Sequence, residues 1–285
     1  MIIQEIMDIK VGIIITTHKR HEDVVYRAIK SVLEQTYDNF SLIIVDDSPP
    51  DYERRSFVAT MVNNILDERI IYYQNETNMG ACASRNKGVE MCEGEFIAFL
   101  DDDDEWYPTK LERELKGFTD EDVGIVYCNA DLYYEATGKI KLKNNKDDLP
   151  RGFILNKLFF RNVIGSTSFP IIRRTEFEKV GGFDYTMPAL QDWDLWIRIA
   201  YNSKVNYIHE ALCRYHFYEG DRLSNNAEKR LNGYIKIREK NRDYLECNSK
   251  AKTDFDLAAV FFYSNNRKLG KAIEYWLKAV VGNPL

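Results

Sequence analysis

Apolar residues follow one another without interruption in VGIIITT, Val11 to Thr17, and the run closes in polar residues. That is the pattern of a strand buried on both faces. In the next segment, HEDVVYRAIKSVLEQTY, the apolar positions Val24, Val25, Ala28, Ile29, Val32 and Leu33 fall at helical spacing, with charge on the other face. The unit then repeats: SLIIVDD as strand, residues 52–66 as helix, RIIYYQ as strand, ACASRNKGVEMC as helix and EFIAFLDDDD as strand. Strands alternating with helices of this length predict an α/β fold, a mostly parallel sheet flanked by helices and wound by right-handed crossovers.

After Pro108 the rhythm changes. TKLERELKGF reads as a helix, and GIVYCNADLYYEATGKIKLK as two strands around a Thr-Gly turn. A Lys-, Asn- and Asp-rich loop at 143–149 is expected on the surface. A helix at 153–160, a strand through SFPIIRR, the segment VGGFD and an amphipathic helix QDWDLWIRIAYN follow. From 225 to 285 the pattern is helical, and FDLAAVFFYSNN with KAIEYWLKAVVGNP predicts a closing helical hairpin. The expected organisation is therefore a main domain, 1–224, with a helical C-terminal extension, 225–285. Within the main domain, 9–107 forms the first half and 108–224 the second.

The net charge of −6 and pI near 5.4 argue against a general nucleic-acid binder, which needs an excess of Lys and Arg facing phosphates. The five cysteines include no C-x-x-C pair and read as reduced structural thiols of a cytoplasmic protein. Acidic residues precede the first apolar run, so no secretory signal is expected, and no apolar run approaches the ~20 residues of a membrane span.

Candidate chemistry collects at the strand ends. In an open parallel sheet, ligands bind beyond the carboxyl ends of the strands. Here those ends carry Thr16, Thr17 and His18, then Asp46 and Asp47, then Asp101 to Asp104. Four adjacent carboxylates repel one another and raise one another's pKa values unless a cation lies among them. Alternation along a strand puts Asp101 and Asp103 on one face, and such oxygen ligands suit Mg²⁺ or Mn²⁺ bridging to a diphosphate. One member, Asp104, is expected instead to cap the helix after Pro108. Asp47 could equally start a turn with Ser48-Pro49-Pro50, Arg85 could be a solvated helix residue, and His18 could serve packing alone.

Taken together, IIITTHKR, SLIIVDDSP, NMGACASRNKG and GEFIAFLDDDDEWYPTKL, followed by GSTSFPIIRR, KVGGFD and QDWDLWIRIA, resemble the inverting family 2 glycosyltransferases over about residues 9–220. The resemblance implies a Rossmann-like GT-A fold whose first half binds a nucleotide-diphospho-sugar, a UDP-sugar by preference, and whose second half binds a glycan or lipid-linked acceptor. It also implies Mn²⁺ or Mg²⁺ on the D-x-D carboxylates, inversion by single displacement, and a setting in surface polysaccharide or glycolipid assembly, cytoplasmic or at the inner face of a membrane through peripheral association. Carried over by position, Thr16, His18 and Arg20 lie near the nucleobase, and Asp47 accepts from a base N–H. Arg85 and Asn86 face the diphosphate, where an arginine fork suits phosphate oxygens. Asp101 and Asp102 belong with the donor, and Asp103 is the principal metal ligand, with Asp101 and His216 completing the set. Arg222 assists the leaving diphosphate.

On the acceptor side, Asp192 occupies the place of the general base that a sugar hydroxyl needs. Gln191 stands where the family usually has Glu, and His18-Lys19 stand where it commonly has Tyr-Asn. Asp194, two residues further along the helix, points about 200° away. Asp192 could also cap that helix. A haloacid-dehalogenase-type phosphatase would carry its D-x-D on the first strand, and a nucleotidyltransferase would want a Gly-rich loop where this chain has TTHKRHED. A catalytically silent binding or scaffold protein of the same fold would be expected to have lost Asp103 or Asp192.

Overall fold

The computed structural model describes residues 9–145, 149–218 and 226–282. Its first half is built as the pattern predicts. β1 (Val11–Thr17), β2 (Phe40–Asp46), β3 (Ile70–Gln74) and β4 (Phe96–Asp101) are linked by α1 (Glu22–Leu33), α2 (Arg55–Asn63) and α3 (Ala81–Met91). All pairings among these strands are parallel, in the spatial order β3-β2-β1-β4. Ile13 and Ile15 of β1 enter one apolar cluster and Ile14 the other, which is why the strand reads as an unbroken apolar run. Gly88 lets α3 lie close on the sheet: a Cβ there would come within 2.5 Å of the Ile14 side chain.

In the second half the sheet becomes mixed. It contains β5 (Glu105–Trp106), β6 (Val123–Tyr134), β7 (Lys139–Leu142), β8 (Pro170–Arg173) and β9 (Lys204–Phe217), with α4 (Lys110–Leu115), α5 (Leu155–Phe160), α6 (Arg174–Lys179) and α7 (Gln191–Ala200). β8 inserts between β4 and β6, antiparallel to both. β9 then runs parallel to β6 and receives the two-residue β5. This long β9, which had no clear counterpart in the sequence pattern, interrupts its alternation with irregularities in register opposite Val123 to Ala130.

The tail is helical as expected: α8 (Ala227–Lys240), α9 (Arg242–Cys247), α10 (Ser249–Asn265) and α11 (Leu269–Gly282). It shares a core with the sheet domain, since Leu231, Tyr234, Phe255 and Phe262 join Trp193, Trp196 and Leu158 in one apolar cluster. Ion pairs from Lys240 to Asp184 and to Asp194 fasten α8 across α7. Among the described residues no helix is long and apolar enough to cross a membrane.

Candidate active site

Beyond the carboxyl ends of β1, β2 and β4 lies a cavity of about 1480 Å³. Thr16, His18, Arg20, Asp47, Arg85, Asp101, Asp102 and Asp103 line one side of it, and Asp192 lines it from the second half of the sheet domain. The convergence expected from strand ends alone is therefore present.

Asp101 closes β4, and its carboxylate accepts from Arg85 at 2.8 Å, Thr167 Oγ1 at 2.9 Å and Ser166 Oγ at 3.1 Å. Burial works against its charge, but Arg85 and the two hydroxyls more than offset this and hold its pKa below the ordinary value. Asp102 and Asp103 do not continue the strand. They form a turn closed by the Asp104 N–H on the Asp101 carbonyl, so the turn rather than strand alternation brings Asp101 and Asp103 to one cavity. Arg20 bridges the turn, with Nε on Asp102 at 3.0 Å and a terminal nitrogen on Asp103 at 3.2 Å.

Asp104 is not a helix cap. It is buried behind the turn, accepts from Ser168 Oγ at 2.6 Å and the His216 N–H at 3.2 Å, and α4 starts at the N-cap residue Thr109 with no side-chain cap. Burial, together with the nearby Asp103 and Asp101, pushes its carboxyl well above the usual range.

His216 also departs from expectation. Its Nε2 lies 2.6 Å from Glu105 and its Nδ1 2.7 Å from Glu135, in a buried position behind the turn rather than on the cavity wall. With both ring nitrogens held by carboxylates, neither is presented to a metal on Asp103. Arg27 completes this support by donating to the Asp103 carbonyl at 2.9 Å. Asn86 likewise faces away from the cavity. Its amide exchanges two hydrogen bonds of 2.9 Å with the backbone of Phe183, and Gly182 in VGGFD, at φ +70, leaves room for it where a Cβ would lie 2.7 Å from its oxygen. Arg222 lies outside the described residues.

Asp47 accepts from Asn75 and the Met79 N–H through Oδ1 and from the Gly80 N–H through Oδ2. It organises the loop into α3, and the residue lines the cavity. His18 Nδ1 is 2.9 Å from the Asp47 carbonyl.

At the start of α7, Leu190 takes a left-handed conformation, φ 59, and makes no side-chain cap. Asp192 follows inside the first turn, not as a cap, and accepts from Asn162 at 3.0 Å. Burial pushes its carboxyl up to about 6, moderated by the Trp193 N–H and Arg85. Asp194 points away as expected, into a buried pair with Arg198 at 2.8 Å. Lys143, expected on a surface loop, lines the cavity instead. Its amine reaches the Ile164 carbonyl at 3.2 Å and lies over the Phe169 ring, and burial lowers its pKa to about 8.

Among the described residues no group of three or more His, Cys, Asp or Glu side chains is placed to hold a metal. Asp101 and Asp103 offer oxygen ligands alone. That fits Mg²⁺ or Mn²⁺ bound through one or two carboxylates and completed by substrate phosphates and water.

The sequence profile described as "Glycosyl transferase family 2" matches residues 12–181. The chain belongs to this glycosyltransferase family. Among its relatives is a protein of Escherichia coli strain K12 named "Putative colanic acid biosynthesis glycosyl transferase WcaA", 32% identical over 86% of this chain and 85% of that one. Another, from Escherichia coli, is named "UDP-Glc:alpha-D-GlcNAc-diphosphoundecaprenol beta-1,3-glucosyltransferase WfaP", 37% identical over 62% of this chain and 65% of its own. Of solved structures, the mannosyltransferase PcManGT from Pyrobaculum calidifontis, in complex with GDP-Man and Mn²⁺, superposes with a TM-score of 0.64 at 18% identity over 96% of this chain and 76% of that one. The fold of this family 2 member is the GT-A type.

The family motifs pointed to the site's carboxylates and to Arg85. They gave no role to Ser166 and Thr167, which lie in the quoted GSTS segment, and nothing in the pattern marked Asn162 or Lys143. Nor did it mark Arg230, Leu257 and Phe261, which bring the C-terminal helices into the cavity wall.

Proposed function

We propose that the protein is a metal-dependent inverting glycosyltransferase, moving a sugar from a nucleotide-diphospho-sugar, a UDP-sugar, to a hydroxyl of a lipid-linked glycan. The observation that carries this reading is the placement of Asp192, with a pKa near 6, across one cavity from Asp101, Asp103 and Arg85. A base poised near neutrality can take a hydroxyl proton as the oxygen attacks. The acceptor oxygen forms a bond to the anomeric carbon while the carbon–oxygen bond to the diphosphate breaks. The proton goes to Asp192 and the electron pair leaves on the diphosphate, so the configuration inverts.

Asn162 orients the base. Arg85, now paired with Asp101, offers its guanidinium to phosphate oxygens. Asp101 and Asp103 would hold Mn²⁺ or Mg²⁺, which supplies neutralisation of charge on the leaving diphosphate. The Asp47 carboxylate, at the cavity wall, suits a base with an N–H edge. The names of WfaP, for a UDP-glucose donor and a diphosphoundecaprenol-linked acceptor, and of PcManGT, for Mn²⁺, support donor, acceptor and metal by analogy.

The test is a thermal melt with Mn²⁺ and a panel of nucleoside diphosphates, followed by transfer assays with the stabilising sugar nucleotides. Metal and UDP together should raise the melting temperature more than either alone, because each completes the other's site. No shift with any nucleoside diphosphate plus metal would overturn the donor site, and a retained anomeric configuration in the product would overturn the displacement.

A further inference from the structure

The closing hairpin carries a surface that the transfer chemistry leaves unused. Helix α11 packs inward through Ala272, Tyr275 and Ala279, the first and last nearly fully buried, with Tyr275 stacked on Tyr263 of α10. On its other side Leu269, Ile273, Trp276, Leu277, Val280 and Val281 are 63, 58, 51, 48, 48 and 76% exposed. At 100° per residue these six cover an arc of about 140°. A stripe of this kind on a helix end is an unpaid solvation cost unless something covers it.

We propose that this face docks on the surface of an anionic lipid bilayer. Charge selects that occupant over a second copy of the chain. Arg267 and Lys268 are exposed before the stripe and Lys271 and Lys278 beyond one edge of it, the latter two sharing the segment's one acid, Glu274, so the segment is net positive although the whole chain is net −6. Long basic side chains flanking an apolar stripe that contains Trp are the composition of a helix lying in the headgroup region. A self-interface would set this basic segment against its own copy.

The same hairpin also reaches the active site. Leu257 and Phe261, on the partner helix α10, are 38 and 55% exposed and line the cavity. One helical hairpin thus carries both the exposed stripe and part of the cavity wall on which a lipid-linked acceptor would lie. The docking rests on α10 and α11 alone; its use in catalysis rests on the lipid-linked acceptor proposed above.

The test is flotation of the full chain with phosphatidylcholine vesicles containing phosphatidylglycerol, compared with phosphatidylcholine alone. The probe variant carries Ile273→Glu and Val280→Glu, two exposed positions. Wild type should float with the anionic vesicles at low salt, more than ~10-fold above the neutral ones. The variant should remain behind with an unchanged melting temperature and unchanged transfer to a short-chain, water-soluble acceptor. Wild type that stays in the dense fraction with anionic vesicles overturns the docking, as does a dimer that the two substitutions dissolve without any flotation. Failure of transfer to every acceptor, with flotation intact, would overturn the proposed function and leave the docking standing.

Discussion

Replacing Asp192 by Asn should raise stability and abolish transfer together, and the opposed signs follow from one number. Burial takes this carboxyl from an ordinary 3.8 to about 6 in the folded chain. Because the folded state binds the proton more tightly than the unfolded state, ionised Asp192 costs stability. That cost is absent below about pH 4, grows as pH rises toward about 6, and is constant above. The gap from 3.8 to about 6 corresponds to about 3 kcal/mol at neutral pH.

The competing term is the favourable charge of Asp192 in the first turn of α7, ordinarily about 0.3 to 1 kcal/mol. Burial wins. Asp192→Asn keeps shape and an acceptor oxygen for Asn162, so its melting temperature at pH 7.5 should rise by roughly 5 °C for a chain of this size. The gain should vanish near pH 4. Transfer should fall about 10²-fold or more, and the wild-type kcat/KM should show an acid limb near pH 6. Scanning calorimetry across pH and a coupled assay of nucleoside diphosphate release would measure both. A lower melting temperature at pH 7.5 would mean that Asp192 serves the helix end rather than the chemistry, and near-wild-type transfer would move the base elsewhere.

Asn86→Ala should cost about 1 to 3 kcal/mol in denaturant titration, since the Phe183 backbone loses both partners, while calorimetric binding of a nucleoside diphosphate with Mn²⁺ stays within about threefold. His216→Gln removes the imidazole that Glu105 and Glu135 share, leaving them Arg27. It should cost about 1 to 3 kcal/mol in the same titration, and Mn²⁺ affinity measured with UDP present should change little; a large loss of metal binding would restore His216 to the metal site.

What the sequence disclosed and what it concealed divide along a physical line. Features set by local period were legible: both faces of β1, the crossover helices, the collection of polar residues at strand ends and the opposite directions of Asp192 and Asp194. Features set by partners far along the chain were not. Asp104 looks like a cap because Pro108 and Thr109 follow it, yet it is fixed by Ser168 and by the His216 backbone, residues that β8 and β9 bring behind the turn. His216 looks like a ligand because the family resemblance puts a His at that place, but it lies within β9, where Glu105 and Glu135 claim both of its nitrogens. Lys143 sits in a stretch as polar as any surface loop, and only the approach of Phe169 and Ile164 takes it inside.

The C-terminal helices are joined to the site by packing. Sequence marks them as a separate appendage because their period is helical and the family motifs stop before them, whereas Tyr234, Phe255 and Phe262 stack on one another beneath Trp193. Trp193 is the neighbour of Asp192 on α7. Holding α7 from below fixes the direction in which the Asp192 carboxyl enters the cavity, so packing in the tail and the proton transfer proposed for Asp192 would be coupled through one turn of helix.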